Sequence, residues 1–253
     1  MSFSTPNLTF EEILDTAVAY GYDGVEPRLD SNHAHGVEVS ATQEQRRRIR
    51  ELAQRKRIAI ACLATSVRYA DPEKTQEMIT QTHERIDLAG DVGAPVIRVF
   101  GGRIPEGVTR DQAIEVVSDS LQKVADHAAE RGVVICLETH DDWCDPAHVA
   151  AVLSRVNHPA VAANWDVMHP VKRAGVSIDS AFHTLKPWIK HLHIHDGNDS
   201  GLVPIGQGDI DHRRVVELLK SIDYSGFLSG EWINWEPAEV HLPRELATMK
   251  SYE

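Results

Sequence analysis

Apolar runs that end in a carboxylate or an imidazole recur along this chain at near-regular intervals. They read Ile135-Cys136-Leu137-Glu138-Thr139-His140, Ala162-Ala163-Asn164-Trp165-Asp166-Val167-Met168-His169, Lys190-His191-Leu192-His193-Ile194-His195-Asp196 and Phe227-Leu228-Ser229-Gly230-Glu231-Trp232. Glu138, Asp166, His193 and Glu231 stand 28, 27 and 38 residues apart. One such step is about one strand plus one helix. The repeat points to a TIM (β/α)8 barrel, in which functional groups gather at the C-terminal ends of the strands. Three carboxylates and one imidazole suit one divalent ion such as Mn, Mg, Co or Zn better than a soft metal.

The rest of the chain keeps the same rhythm. Thr9-Phe10-Glu11-Glu12 is a capping box, followed by Ile13, Leu14, Ala17 and Val18 at helical spacing, with Gly21 as the stop. Residues 22–27 read as a short strand, and Thr42 opens a helix that buries Ile49, Leu52 and Ala53. Residues 58–64 form a continuous apolar run, as expected of a strand covered on both faces. Asp71-Pro72, Thr109-Arg110-Asp111-Gln112, Asp145-Pro146 and Asp209 or Asp211 mark further helix starts. Strands are expected at 96–100, 133–139, 160–166, 189–195 and 227–232. Alternation of this kind implies an α/β fold with a parallel sheet and right-handed crossovers. Eight helices and seven clear strands are expected. Only residues 1–5 are available for the first strand of a closed barrel, which would make it very short. No linker divides residues 1–253, so one domain is expected.

Composition limits the function classes. The 253 residues fit the usual size of such a barrel. A net charge of −12 argues against a general nucleic-acid binder or a protein drawn to anionic membranes. Cys62, Cys136 and Cys144 have no disulfide or zinc-knuckle spacing. No stretch of 18 apolar residues and no signal-peptide pattern is evident, so a cytoplasmic protein is the expectation. The sequence leaves open whether the chain forms a homo-oligomer.

Strand side chains alternate between faces, so His191, His193 and His195 form one file and Cys136, Glu138 and His140 another. Any one of these residues is explained equally well as a satisfied core polar group. The four at matching strand ends are not. Three carboxylates converging in a barrel mouth repel one another and lose hydration, at a cost of several kcal/mol, unless a cation compensates them. Arg28 and Arg98 sit at or near strand ends. Each is expected either to pair internally with Glu26 or to meet an anionic or strongly polar end of a ligand. His33 and His35 lie in the loop after the 22–27 strand, where solvation is the simpler expectation. Trp143, Trp165, Trp232 and Trp235 fall near strand ends and suit packing as well as sugar stacking.

Several segments together resemble the xylose isomerase-like barrel superfamily, within it the sugar phosphate isomerase/epimerase group. They are Val25-Glu26, Leu137-Glu138-Thr139-His140, Asp166-Val167-Met168-His169, His193-Ile194-His195-Asp196, Pro204-Ile205-Gly206-Gln207-Gly208-Asp209-Ile210 and Gly230-Glu231. The resemblance implies that Glu138, Asp166, His193 and Glu231 hold one divalent metal ion. It implies that Glu138 and Glu231 also move a substrate proton, and that His169 lies beside the metal as a substrate or supporting contact. The Pro204–Ile210 loop would shape the site. His140 and His195 are expected to reach substrate hydroxyls, and Arg28 or Arg98 its far end.

The expected activity is then isomerisation or epimerisation of a sugar or sugar-like polyol. A metal chelated by a carbonyl and its neighbouring hydroxyl acidifies the adjacent C–H and favours an enediolate. A carboxylate of suitable pKa takes the proton. Dehydration on the same site is the first rival, since it begins with the same proton abstraction. An endonuclease IV-like phosphodiesterase would need extra histidines at residues 63–65 and 100–102, where none occurs. A non-catalytic sugar-binding protein would be expected to have lost one of the four positions.

Overall fold

The computed structural model describes all 253 residues, Met1–Glu253. Strands and helices alternate: α1 (Phe10–Tyr20), β1 (Gly24–Val25), α2 (Gln43–Lys56), β2 (Ala59–Ile60), β3 (Leu63–Arg68), α3 (Thr75–Val92), β4 (Val96–Phe100), α4 (Arg110–Glu130) and β5 (Val134–Glu138). They continue with α5 (Pro146–Val156), β6 (Val161–Asp166), α6 (Met168–Ala174), α7 (Ile178–Leu185), β7 (Ile189–Ile194), β8 (Asp196–Asn198), β9 (Gly201–Val203), α8 (His212–Lys220), β10 (Leu228–Gly230) and α9 (Ala238–Lys250). Parallel pairing runs β10-β7-β6-β5-β4-β3, and β1 pairs with β2 in parallel. A bridge between Arg28 and Ala64 joins the two sheets. This is a TIM-barrel wall with the helices outside.

Local chemistry explains the elements. Thr9, Thr42 and Thr109 each form a complete capping box. Asp145 caps α5 with Pro146 in its first turn. Asp211, rather than Asp209, caps α8. Asp71 and Pro72 do not start α3 directly. Asp71 accepts from Glu73 N–H in a preceding turn, and the helix begins at Thr75.

The apolar run at 58–64 is divided between β2 and β3, and β1 is two residues long. Pro27 contributes to both outcomes. It has no N–H to donate, so at that step the segment only accepts, from Ala61 N–H at Val25 and from Ala64 N–H at Pro27, and donation resumes at Leu29 N–H to the Ala64 carbonyl.

The barrel interior is layered. Arg98 is in register with Cys136, and Cys136 with Ala162. Cys62, Val96, Cys136 and Ala162 form a small apolar plug, separate from the main core between wall and helices. Leu137, Trp165 and Leu192 point the other way, into that main core. Above the plug the interior becomes polar, with Arg98, Glu138, Asn164, Asp166, His191 and His193 all buried.

Residues 1–5 do not form the first barrel strand. Ser2–Ser4 is a single 3-10 turn. The Met1 nitrogen donates to the Gly230 carbonyl at 2.8 Å and Ser2 N–H to the Glu26 carbonyl at 2.9 Å. Those carbonyls lie at the C-terminal ends of β10 and β1, so the chain is already at the rim and turns over it. Below these two contacts β1 and β10 are not hydrogen-bonded to each other. A cavity of about 560 Å³ opens there, lined by Val25, Ala61, Phe227, Leu228, Leu242 and Met249 among others.

Extra structure gathers at the C-terminal rim. A 3-10 turn at Asp141–Trp143 follows β5, α6 follows β6, and the β8–β9 hairpin follows β7.

Candidate active site

The four spaced residues meet. Ligand-capable atoms of Glu138, Asp166, His193 and Glu231 all lie within 4.8 Å of one another, and all four residues are buried. His193 is central. Its Nδ1 stands 2.8 Å from Glu138 Oε1 and 3.2 Å from Glu231 Oε2. Asp166 divides its oxygens. Oδ1 accepts from the backbone N–H groups of Met168 and His169 at 2.9 Å each, tying down the start of α6. Oδ2 faces His195 Nε2 at 2.8 Å.

Electrostatics follow from this crowding. Burial opposes charge on His193, yet Glu26, Glu138 and Glu231 raise its pKa well above the ordinary imidazole value. Burial likewise works to raise Glu231, but His193 and Arg98 outweigh it and hold the carboxyl at about 2. Asp166 is lowered too, because His195 and His169 overcome its burial. A proton on His193 thus supplies positive charge where a cation would. Glu138 Oε2 is buried without a hydrogen-bond partner. That oxygen meets only Arg98 Nε, at 3.2 Å and out of line for a hydrogen bond, and a carboxylate so placed in a buried cluster of three acids and one imidazole is what a divalent-metal site offers, so the residues fit a metal ion.

The candidate substrate contacts lie around this cluster. His140, His169 and His195 form a row of edge-on rings, with centroids 4.6 Å and 5.6 Å apart. His169 Nε2 is 3.8 Å from Asp166 Oδ2. Arg98 reaches Glu138 through Nε at 3.2 Å and lies over the Phe100 ring. Arg28 behaves differently. It donates to the carbonyls of Leu29 and Ala64 and to Ser66 Oγ, and no carboxylate lies within ion-pair distance of it. Burial and the neighbouring Arg98 push its pKa down to about 10. Neither arginine pairs with Glu26. That carboxylate is taken by His191 Nε2 at 2.8 Å and His193 Nε2 at 3.0 Å.

Two groups escaped the reading of the sequence. Glu26 was read as part of Val25-Glu26 and as a partner for an arginine, whereas its histidine partners lie more than 160 residues away. Asp196 proves to anchor the Pro204–Ile210 loop. Its oxygens accept from the N–H groups of Gly197, Gly206, Gly208 and Ile210 at 2.9–3.2 Å. His35, expected in a solvated loop, is buried and bonded to the backbone at both nitrogens. Trp143 and Trp165 are fully buried, and Trp232 nearly so, which makes them packing residues.

Comparison with known proteins bears on family and fold. A family model described as "Xylose isomerase-like TIM barrel" matches residues 14–252. The chain is 21% identical to a 3-dehydroshikimate dehydratase of Bacillus anthracis, over 95% of this chain and 91% of that protein. It is 25% identical to a putative hydroxypyruvate isomerase of Xenopus laevis, over 64% of this chain and 63% of that protein. The solved structure of a 3-keto-D-glucoside 4-epimerase from E. coli superposes with a TM-score of 0.79 at 18% identity, covering 96% of this chain and 94% of that one.

Proposed function

The chain belongs to the xylose isomerase-like TIM barrel family, and from that premise we propose that it is a divalent-metal-dependent isomerase or epimerase of a sugar or sugar-like polyol. The observation that carries the proposal is the buried convergence of Glu138, Asp166, His193 and Glu231 from four strand ends. These four residues would hold the metal ion. Bound there, a divalent cation polarises a carbonyl and acidifies the C–H beside it.

The protein's own groups do the rest. Glu138 and Glu231 are the proton carriers, taking a proton from carbon and returning it. Return to the opposite face of the carbon epimerises it, and return to the neighbouring carbon exchanges aldose and ketose. His140, His169 and His195 present ring N–H groups and lone pairs to substrate hydroxyls. Arg98 leans on Glu138 and keeps that carboxylate in place. Arg28, which has no acid partner, receives the polar or anionic far end of the substrate. Mn, Mg, Co and Zn all suit the donor set.

Dehydration is the second reading, favoured by the full-length similarity to a dehydratase. It shares the first proton abstraction and differs in what leaves. One experiment separates the outcomes. The metal-loaded protein is incubated in D2O with a panel of neutral, phosphorylated and carboxylated ketoses and keto-polyols. Deuterium gained at the reacting carbon without mass loss of water identifies an isomerase or epimerase. Loss of water identifies the lyase. No exchange with any member of the panel, with metal bound, overturns both.

A further inference from the structure

We infer that Glu26 is a positioning residue for the metal centre: it fixes the ring orientation and tautomer of His193, so that Nδ1 alone is offered to the ion. The inference rests on the metal-dependent reading of Glu138, Asp166, His193 and Glu231. It concerns a carboxylate outside that set.

His193 is the only imidazole among the four, and its two nitrogens face different partners. Nδ1 faces Glu138 and Glu231, the carboxylates grouped around the candidate ion position. Nε2 faces away, 3.0 Å from Glu26 Oε1. A carboxylate can only accept, so Nε2 carries the hydrogen in that bond. The lone pair then falls on Nδ1 when an ion is present. A carboxylate behind a metal-binding histidine also increases the basicity of the ligating nitrogen and stops the ring from turning over.

Glu26 is itself held. Its second oxygen accepts from His191 Nε2 at 2.8 Å. His191 and His193 lie two residues apart on β7, so one carboxylate spans both rings and locks them to the end of β1. The group is 2% exposed and stands above the apolar plug, where water does not compete for these bonds.

Glu26, His191 and His193 also lie close enough together to be a cation site of their own. The geometry argues against that use. Both Glu26 oxygens are already engaged by ring N–H groups, and an ion between them would displace two buried hydrogen bonds.

The test measures metal affinity rather than turnover. Mn²⁺ binding to the full chain is followed by equilibrium dialysis and by the EPR signal of free Mn²⁺, in wild type, Glu26→Gln and His191→Asn. Glu26→Gln keeps the volume, but its amide offers an acceptor to only one of the two rings. We expect one ion per wild-type chain and affinity weakened ~10–100-fold in Glu26→Gln, measured at a temperature below the thermal transition of the metal-free variant, where the chain is still folded. His191→Asn leaves the Glu26–His193 bond and is expected to shift affinity less than about threefold. In the zinc-loaded wild type, nitrogen NMR of the His193 ring is expected to show hydrogen on Nε2. Equal affinity in wild type and Glu26→Gln, or hydrogen on Nδ1, overturns the inference and leaves the metal site intact. Two ions per wild-type chain, falling to one in Glu26→Gln, would make Glu26 a ligand and also overturn it. No Mn²⁺ binding in wild type defeats the metal-dependent reading itself.

Discussion

Glu138 and Glu231 are each asked to do two things, to ligate and to carry a proton. Glu231 at about 2 is a poor base while His193 stands beside it as a cation. Glu138→Gln and Glu231→Gln are expected to lower turnover by more than ~100-fold at saturating metal. His169→Ala, further from the cluster, is expected mainly to raise KM. A glutamate variant with an unchanged rate and a bound ion would lose its proton-carrying role. His35 makes a separate prediction about stability. Its Nδ1 accepts from Val37 N–H at 3.0 Å, and its Nε2 donates to the Arg28 carbonyl at 3.2 Å. Protonating Nδ1 would break the first bond inside a buried site, and burial pushes the pKa down to about 4. The unfolded chain therefore binds this proton more readily than the folded one. The stabilisation is complete above the ordinary imidazole value near ~6.5 and is lost as pH falls toward 4, by about 3 kcal/mol in all. In urea titrations across that window, His35→Gln is expected to give a flatter pH profile. An identical slope would show that another group causes the acid loss.

At the scale of elements, the rim pieces were the hardest to read from the sequence, and the reason is physical. The capping boxes at Thr9, Thr42 and Thr109 are local chemistry, complete within four residues, and they are legible. Helix α6 is not, because Pro170 interrupts its pattern and its start depends on Asp166, a site residue. The β8–β9 hairpin has neither a long apolar alternation nor more than three residues per strand. The Glu26 bond to the β7 histidines joins opposite ends of the chain and leaves no local mark. The four-residue cluster was legible because a carboxylate or an imidazole recurs at the end of an apolar run in each of four repeats. The Pro204–Ile210 loop depends on close approach. A Cβ at Gly208 would stand 2.2 Å from Asp196 Oδ1, the carboxylate that gathers the loop's N–H groups. Gly208→Ala must therefore push the loop off Asp196. The expected cost is ~1–3 kcal/mol, or several degrees of Tm, read by calorimetry. An unchanged Tm would mean that the loop is held elsewhere.

For the whole molecule, the incomplete seam between β1 and β10 matters more than any single strand. Elsewhere the wall is continuous through strand pairing or, between the end of β1 and β3, the Arg28–Ala64 bridge, whereas here the Met1 and Ser2 nitrogens make the backbone links across the rim. Glu231 follows directly after β10, while Glu138 and Asp166 stand on the continuous part of the wall. Spreading the seam would draw one ligand away and leave the others in place. Closing the barrel and gripping an ion are then two descriptions of one equilibrium, and by linkage each must favour the other. Hydrogen exchange can detect this. Amides of Leu228–Gly230 are expected to exchange faster than those of Val134–Glu138 in the metal-free protein, and saturating Mn²⁺ is expected to narrow the difference. Equal slowing at both strands would mean that the wall and the ion do not communicate. If the gap does narrow, the cation acts as the fastener of the barrel as well as its reagent, and stripping it away should loosen the molecule along one line only.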